Sequence, residues 1–233
     1  MTLRVEPIEG IGEVRPGDDL AGMLATALSP LRPEDGDVLV VTHKVVSKAE
    51  GALVRLPDDG PDAHRRVVEE QAERVVRRRG DLVIAQTRHG FICANAGIDR
   101  SNTEPGTAVL LPEDPDRSAR RIRDRLGSEL GIRPAVVISD TFGRPWRRGV
   151  VDVAIGVAGM SPIEDLRGRP DSHGRLLDTT EINVADELAA AADLVMGKST
   201  GTPAALVRGA GIPPGDGTVR GDVVRPLHED LFR

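Results

Sequence analysis

Apolar positions in this chain repeat at helical spacing in some stretches and form short unbroken runs in others. In residues 17–30, Leu20, Met23, Leu24, Ala27 and Leu28 form one helical stripe, with Asp18 or Asp19 placed to cap it and Pro30 to end it. Residues 37–42 hold the continuous run Val38-Leu-Val-Val41, the pattern of a strand buried on both faces, and Ala135-Val-Val-Ile-Ser139 repeats it. Residues 61–78 predict a polar, charged helix. Glu69, Glu70 and Glu73 precede Arg74 to Arg79 there, an order that suits the helix dipole and places the arginines on a solvated face. Residues 82–86 and 107–111 read as strands, and Asp114 to Leu130 as a helix capped by Asp114. Beyond Arg144 the character changes: residues 149–177 are rich in glycine, proline and charge, with one weakly apolar stretch, Val150 to Ala158. An alanine-rich helix follows from Thr180 to Val195, with Thr179 or Thr180 as its cap, then a short strand, Ala204 to Val207, and a turn region over 209–217. Strands and helices mix without regular alternation, so the expected class is α+β, with mixed sheets and flanking helices. One unit over residues 1–233 is expected, or two lobes parted near 145–180.

Composition narrows the picture. With three Phe, one Trp and no Tyr, the core is built from Val, Leu, Ile and Ala. A net charge of −6 with acidic and basic residues interspersed argues against general nucleic-acid affinity. The single cysteine, Cys93, excludes an intramolecular disulfide, and its apolar run Gly90-Phe-Ile-Cys-Ala94 marks it as a core residue rather than a nucleophile. No stretch reaches the roughly 20 apolar residues needed to span a bilayer, and no signal peptide opens the chain; a cytoplasmic protein with no membrane partner is expected.

The candidate chemistry lies in two stretches, Asn95-Ala-Gly-Ile-Asp99-Arg-Ser-Asn102 and Val136-Val-Ile-Ser-Asp140-Thr141-Phe-Gly-Arg144. Each sets an aspartate among small polar residues at the edge of an apolar run, offering the hard oxygen ligands that Mg²⁺ or Mn²⁺ prefers beside a phosphate. Gly197-Lys198-Ser199-Thr200 is not a P-loop: that motif needs glycine at 192, where Ala stands, and it joins a strand to a helix, the reverse of the order here. It remains a loop of glycines, hydroxyls and one amine able to contact phosphate. Phe142 occupies the position where a phosphate-transferring haloacid-dehalogenase pattern requires a second aspartate, so an aspartyl-phosphate is not expected. His43, Lys44 and Lys48 follow the first buried strand, where a lysine can neutralise phosphate as a point charge. Arg144, Arg147 and Arg148 surround Trp146 in the densest basic cluster near an acidic position. His64, His89, His173 and His228 show no metal-ligand spacing. Taken singly, these features have ordinary readings as turns, caps or solvated charges; together they point to a metal-assisted nucleotide enzyme.

Five ordered blocks resemble the coenzyme F-420:L-glutamate ligase family: Thr42-His-Lys-Val-Val-Ser-Lys48-Ala-Glu-Gly, Ala94 to Asn102, Ile138-Ser-Asp140-Thr141-Phe-Gly-Arg-Pro-Trp-Arg-Arg-Gly149, Ala185 to Asp193, and Lys198-x-x-Gly-x-Pro203-x-Ala-x-Val-Arg-Gly209. The resemblance implies a GTP-dependent ligase that adds L-glutamate to the deazaflavin cofactor precursor through an acyl phosphate, then further glutamate through a γ-linkage. It also implies an unusual α+β fold forming an intertwined homodimer, two divalent ions (Mg²⁺ or Mn²⁺) and K⁺. Carried over by position, Asp99, Asp140 and Thr141 become metal ligands. Ile11, Gly12, Glu13, Val14, His43, Lys48 and Asn102 become GTP contacts, with the loop Met196, Gly197, Lys198, Ser199, Thr200, Gly201, Thr202 and Pro203. Asp99, Asp140 and Lys48 are the expected catalytic groups, and Arg144, Trp146, Arg147 and Arg148 candidates for the cofactor arm, the incoming glutamate or the deazaflavin ring. Two positions depart from the family pattern: His43 stands where some relatives have serine, and Lys198 where relatives place a metal-binding acid or amide. A non-catalytic nucleotide-binding module and a metal-dependent phosphohydrolase are the alternatives on the same residues.

Overall fold

The computed structural model describes residues 2–56, 60–101 and 103–230. Among these no helix is long and apolar enough to cross a membrane. The elements run β1 (Arg4–Pro7), α1 (Leu20–Leu28), β2 (Val38–Thr42), α2 (His43–Ala49), β3 (Leu53–Arg55), α3 (Pro61–Gln71), β4 (Ala72–Arg79), β5 (Leu82–Thr87), β6 (Ile92–Ala94) and β7 (Thr107–Val109). They continue with α4 (Pro115–Leu130), β8 (Ala135–Gly143), β9 (Val150–Ala158), β10 (Ile163–Asp165), β11 (Glu181–Asn183), α5 (Val184–Met196) and β12 (Ala204–Arg208). The class is α+β, as the mixture of elements predicts.

A five-stranded sheet in the order β1-β12-β2-β8-β9 forms the main layer. β12 runs antiparallel to both β1 and β2, β2 runs parallel to β8, and β8 antiparallel to β9. The unbroken aliphatic runs explain its interior: Val38 to Val41, Val136 to Ile138 and Ala204 to Val207 are fully buried, so both faces are covered. α4, with α1 packed on it, lies against β8 and β9, and α5 lies along β1, β12, β8 and β9. Each such Val or Leu contributes roughly 1.5–3 kcal/mol by leaving water. The helix boundaries follow their caps. Asp19 accepts from the Gly22 N–H at 3.1 Å, Asp114 accepts from the Arg117 N–H at 2.9 Å, and Gly131 closes α4 in a left-handed conformation (φ 71°).

Inserted between β2 and β8 is a smaller region: the pair β3–β7, the sheet β4-β5-β6 and α3. Its own apolar cluster centres on Leu56, Val67, Val68, Val83 and Ile98.

The structure corrects three boundaries. The charged helix expected over 61–78 stops at Gln71, and Arg74 to Arg79 lie on β4, an edge strand paired with β5 through a turn at Gly80 (φ 58°). The arginines are solvated as expected, but by strand geometry. Val150 to Ala158 is a full strand whose second half is buried beneath α4 and α5. The last helix begins at Val184, capped by Asn183, which accepts from the Asp186 N–H at 3.1 Å; residues 181–183 extend as β11 and neither Thr179 nor Thr180 is the cap.

Because β2 and β8 are parallel, with Thr42 beside Ser139, their carboxyl ends emerge together. β12 enters from the same side: Ala204 pairs with Val41, and the Thr42 N–H donates to the Pro203 carbonyl at 2.9 Å. Three segments of the sequence thus meet at one edge of the sheet.

Candidate active-site cleft

At that edge lies a cleft of about 460 Å³. The structure brings Ile11, Gly12, Glu13, Val14, His43, Lys48, Asp99, Asp140, Thr141, Met196, Gly197, Lys198, Ser199, Gly201, Thr202 and Pro203 to its walls. Thr200 is not on the wall; its hydroxyl donates to the Met196 carbonyl. Asn102 lies outside the described residues. Arg144, Trp146, Arg147 and Arg148 sit on the turn joining β8 to β9, exposed and off the cleft wall. Trp146, at 84 % exposure with φ 57°, has no core role.

Asp140 is carried on β8 just past a register shift between Ile138 and Ser139, an irregularity of the kind that re-aims side chains along a strand. Its Oδ1 accepts from the Thr141 N–H at 2.6 Å and lies 3.2 Å from His43 Nε2. His43 is 1 % exposed, and its Nδ1 faces the buried Ser47 hydroxyl at 3.4 Å. A carboxylate only accepts, so His43 Nε2 carries a proton and the ring is clamped between Asp140 and Ser47. On the neighbouring strand, Asp152 stands opposite Thr141 and is 3 % exposed. It accepts from the Thr141 hydroxyl at 2.5 Å and from the Ser139 hydroxyl at 2.9 Å, and Lys198 Nζ lies 3.5 Å from it while also donating to Thr141 Oγ1.

Asp99 reaches the cleft by another route. Asn95, Ala96 and Gly97 all adopt positive φ, a tight left-handed turn. A Cβ at Gly97 would meet the Leu111 side chain at 2.8 Å, so only glycine fits there. The turn delivers Asp99 into a bridge with β7: its N–H donates to the Val109 carbonyl at 3.0 Å, and the Val109 N–H returns the bond at 2.8 Å. The carboxylate meets Lys44 Nζ at 2.8 Å and accepts from the Ser101 N–H at 2.6 Å. Burial alone would raise its pKa, but the Lys44 ammonium and the Ser101 donors outweigh it and hold it below the usual carboxylate value.

Three wall residues of chemical weight escaped the sequence reading: Lys44 as a partner of Asp99, Asp152, and Asp193 near the end of α5. Asp193 is pushed up in pKa by burial and by the Asp152 charge, with Lys198 opposing. One signal was present in the sequence. Lysine and arginine together number 31, yet only Lys44, Lys48 and Lys198 are lysines, and all three line this cleft.

The donor chemistry suits an oxygen-preferring divalent ion: carboxylates of Asp99, Asp140 and Asp152 and the Thr141 hydroxyl, with no thiolate on the wall. Among the described residues no three His, Cys, Asp or Glu side chains form a metal-holding group; the ammonium groups of Lys44 and Lys198 already stand against Asp99 and Asp152. The arrangement is therefore a set of ion pairs around a polar cleft, able to exchange an internal partner for an incoming anion or cation.

Comparison with known proteins gives this cleft a setting. The sequence profile of the family described as F420-0:Gamma-glutamyl ligase matches residues 10–209. Coenzyme F420:L-glutamate ligase of Methanopyrus kandleri is 48 % identical over 223 residues, 89 % of this chain and 87 % of that protein. The protein of the same name from Methanothermobacter thermautotrophicus is 43 % identical over 245 residues, 97 % of each chain. That of Archaeoglobus fulgidus is 41 % identical over 248 residues, covering 100 % of this chain and 97 % of its own.

Proposed function

The chain belongs to the F420-0:Gamma-glutamyl ligase family, and from that premise we propose that it joins L-glutamate to the coenzyme F420 precursor, drawing on GTP bound in the cleft described above. The observation that carries this reading is the concentration of every lysine of the chain, together with the glycine-bearing loop 197–203, around one acidic cleft. A carboxylate and an amine do not condense at useful rates, so the acid must first be activated. In this reading a carboxylate oxygen of the precursor attacks the γ-phosphorus, the bond to the GDP oxygen breaks, and an acyl phosphate results. The glutamate amine then attacks the acyl carbon and inorganic phosphate leaves. A further glutamate is added to the γ-carboxylate of the first in the same way.

Such a transfer needs positioning and charge neutralisation more than covalent help from the protein. Lys48 and Lys198 supply cations to the phosphates, Lys48 being released from the exposed Glu13 carboxylate as the anion arrives. The Ile11–Val14 segment and the 196–203 loop close over the nucleotide. Asp99, Asp140 and Thr141 are the side chains that would hold Mg²⁺ or Mn²⁺, which when bound neutralises phosphate charge. His43 keeps the Asp140 carboxylate in one orientation. Arg144, Trp146, Arg147 and Arg148, being exposed beyond the cleft, suit the outer part of a large anionic substrate.

Mass spectrometry of the deazaflavin precursor after incubation with the protein, GTP, Mn²⁺ and L-glutamate tests the reading, and whole glutamyl increments are expected. Phosphate release that needs neither glutamate nor precursor would instead indicate a phosphohydrolase, and nucleotide binding without turnover a non-catalytic module. Light scattering of the purified protein tests the expected homodimer.

A further inference from the structure

The three lysines of the cleft are anchored unequally. Lys48 pairs with Glu13 at 2.5 Å, but that carboxylate is 71 % exposed; Lys44 pairs with Asp99, which is 37 % exposed. Lys198 stands against Asp152, whose side chain is 4 % exposed. An exposed carboxylate is hydrated, screened and free to swing away from its partner. A buried one is neither hydrated nor mobile, and leaving it without a cation is costly. Lys198 is itself 61 % exposed on a loop, so the fixed end of this pair lies beneath it, in the sheet.

The hydrogen bonds give the pair a direction. Asp152 lacks protons to donate, so both the Ser139 and the Thr141 hydroxyls must point theirs at it. The lone pairs of Thr141 Oγ1 then face away from Asp152, and there Lys198 donates. One buried carboxylate thus fixes the orientation of a hydroxyl and the location of an ammonium on the cleft wall. Lysine suits this place better than arginine, because a compact ammonium with three donors can be surrounded by oxygens as a small cation is.

Resting on the reading of the cleft as a phosphate site, we propose that Asp152 is a positioning residue: its buried carboxylate seats the Lys198 ammonium against Thr141, so that the 197–203 loop presents a fixed cation to the phosphates. Lys198 touches the nucleotide, and Asp152 acts only through it and through Thr141.

The test is a double-mutant cycle on binding of a non-hydrolysable GTP analogue, measured calorimetrically in the presence of Mn²⁺. Asp152→Asn and Lys198→Met are each expected to weaken binding about ten-fold. The double variant is expected to bind no more weakly than Lys198→Met alone, because the carboxylate has nothing left to position. Losses that multiply in the double variant, or Asp152→Asn binding as wild type, overturn the proposal. Wild-type protein that fails to bind the analogue refutes the phosphate reading of the cleft itself, a distinguishable result. A second readout uses the scarcity of lysine. Acylation by an amine-directed reagent, followed by peptide mass spectrometry, should accelerate at Lys198 in Asp152→Asn and stay constant at Lys44 and Lys48. Unchanged acylation of Lys198 overturns the seating, and acceleration at all three marks a general structural loss and does the same. Should Asp152→Asn not fold, as judged by its melting curve, Asp152→Glu displaces the same charge by one methylene and takes its place in both measurements.

Discussion

Two aspartates line the cleft on very different foundations. Asp140 rises from β8, whose preceding residues Val136 to Ser139 are fully buried, and it is backed by a histidine that solvent hardly reaches. Asp99 hangs from a left-handed turn in the smaller region, tied to one strand of a two-stranded ladder and held by a lysine and a serine at the surface. The first corner is organised before any ligand arrives. The second is held by contacts that an incoming ion can replace. In the proposed reaction, which grips a phosphate chain and then releases its products, one rigid corner and one exchangeable corner are an advantage.

Substitutions should expose the asymmetry. Asp140→Asn is expected to produce the largest loss, about 10²–10³-fold in kcat/KM for glutamylation, because the charge it removes is preorganised. Asp99→Asn should cost at least several-fold less; equal losses would erase the distinction between the corners. His43→Ala comes next, lowering kcat about 10–100-fold with little change in the KM for glutamate, since the ring orients a carboxylate and does not meet the substrate. A rise in KM alone would place His43 against the substrate instead.

Lys44→Ala tests the exchangeable corner through acid stability. Asp99 has its pKa depressed in the folded chain, so its ionised form stabilises the fold above the unfolded value of about 3.9 and that contribution disappears as pH falls through the lower folded value. Removing Lys44 should shift acid unfolding, followed by far-UV circular dichroism, to higher pH; an unmoved midpoint argues against the pinning. The smallest effect belongs to Cys93, on β6 between the two regions. Burial, and secondarily the Asp140 charge, push its thiol up to about 12. It should resist alkylation at pH 8 in the native protein and react only on unfolding. Above about pH 9 the unfolded chain ionises this thiol and the folded chain does not, so stability falls as pH climbs towards 12. Cys93→Ala should flatten that slope.

Legibility in the sequence divides along the same line. The aliphatic runs at Val38 and Ala135 and the cap at Asp114 announced the main sheet and α4, because local pattern and burial agree there. The strand β4 did not announce itself. Ala72-Glu-Arg-Val-Val-Arg-Arg-Arg79 contains no breaker and continues a helical pattern, and only its pairing with β5 makes it a strand. β9 was seen as a weakly apolar stretch, since Gly156 and Asp152 interrupt the run; Gly156 is there because a Cβ would come within 2.4 Å of the Pro115 backbone. With the strand left unassigned, the pairing of Asp152 with Thr141 could not be foreseen. Asp99, Asp140 and the 196–203 loop were legible as candidates from their neighbours, yet their meeting depends on β2 and β8 being parallel, which no local pattern states.

That parallel pairing also sets an order of events in the life of the chain. β2 is complete by Thr42, but its partner begins only at Ala135, and the whole smaller region is made in between. Antiparallel neighbours joined by a tight turn, such as β4 and β5, can zip as soon as both are synthesised, whereas a ladder closed over so long a loop forms late and slowly. Until β8 and, later still, β12 arrive, the two edges of β2 are open to other chains. Newly made protein should therefore be most prone to aggregate until both have been made, and the edge that carries the candidate cleft, which needs β12, β2 and β8 side by side, is among the last parts of the molecule to form.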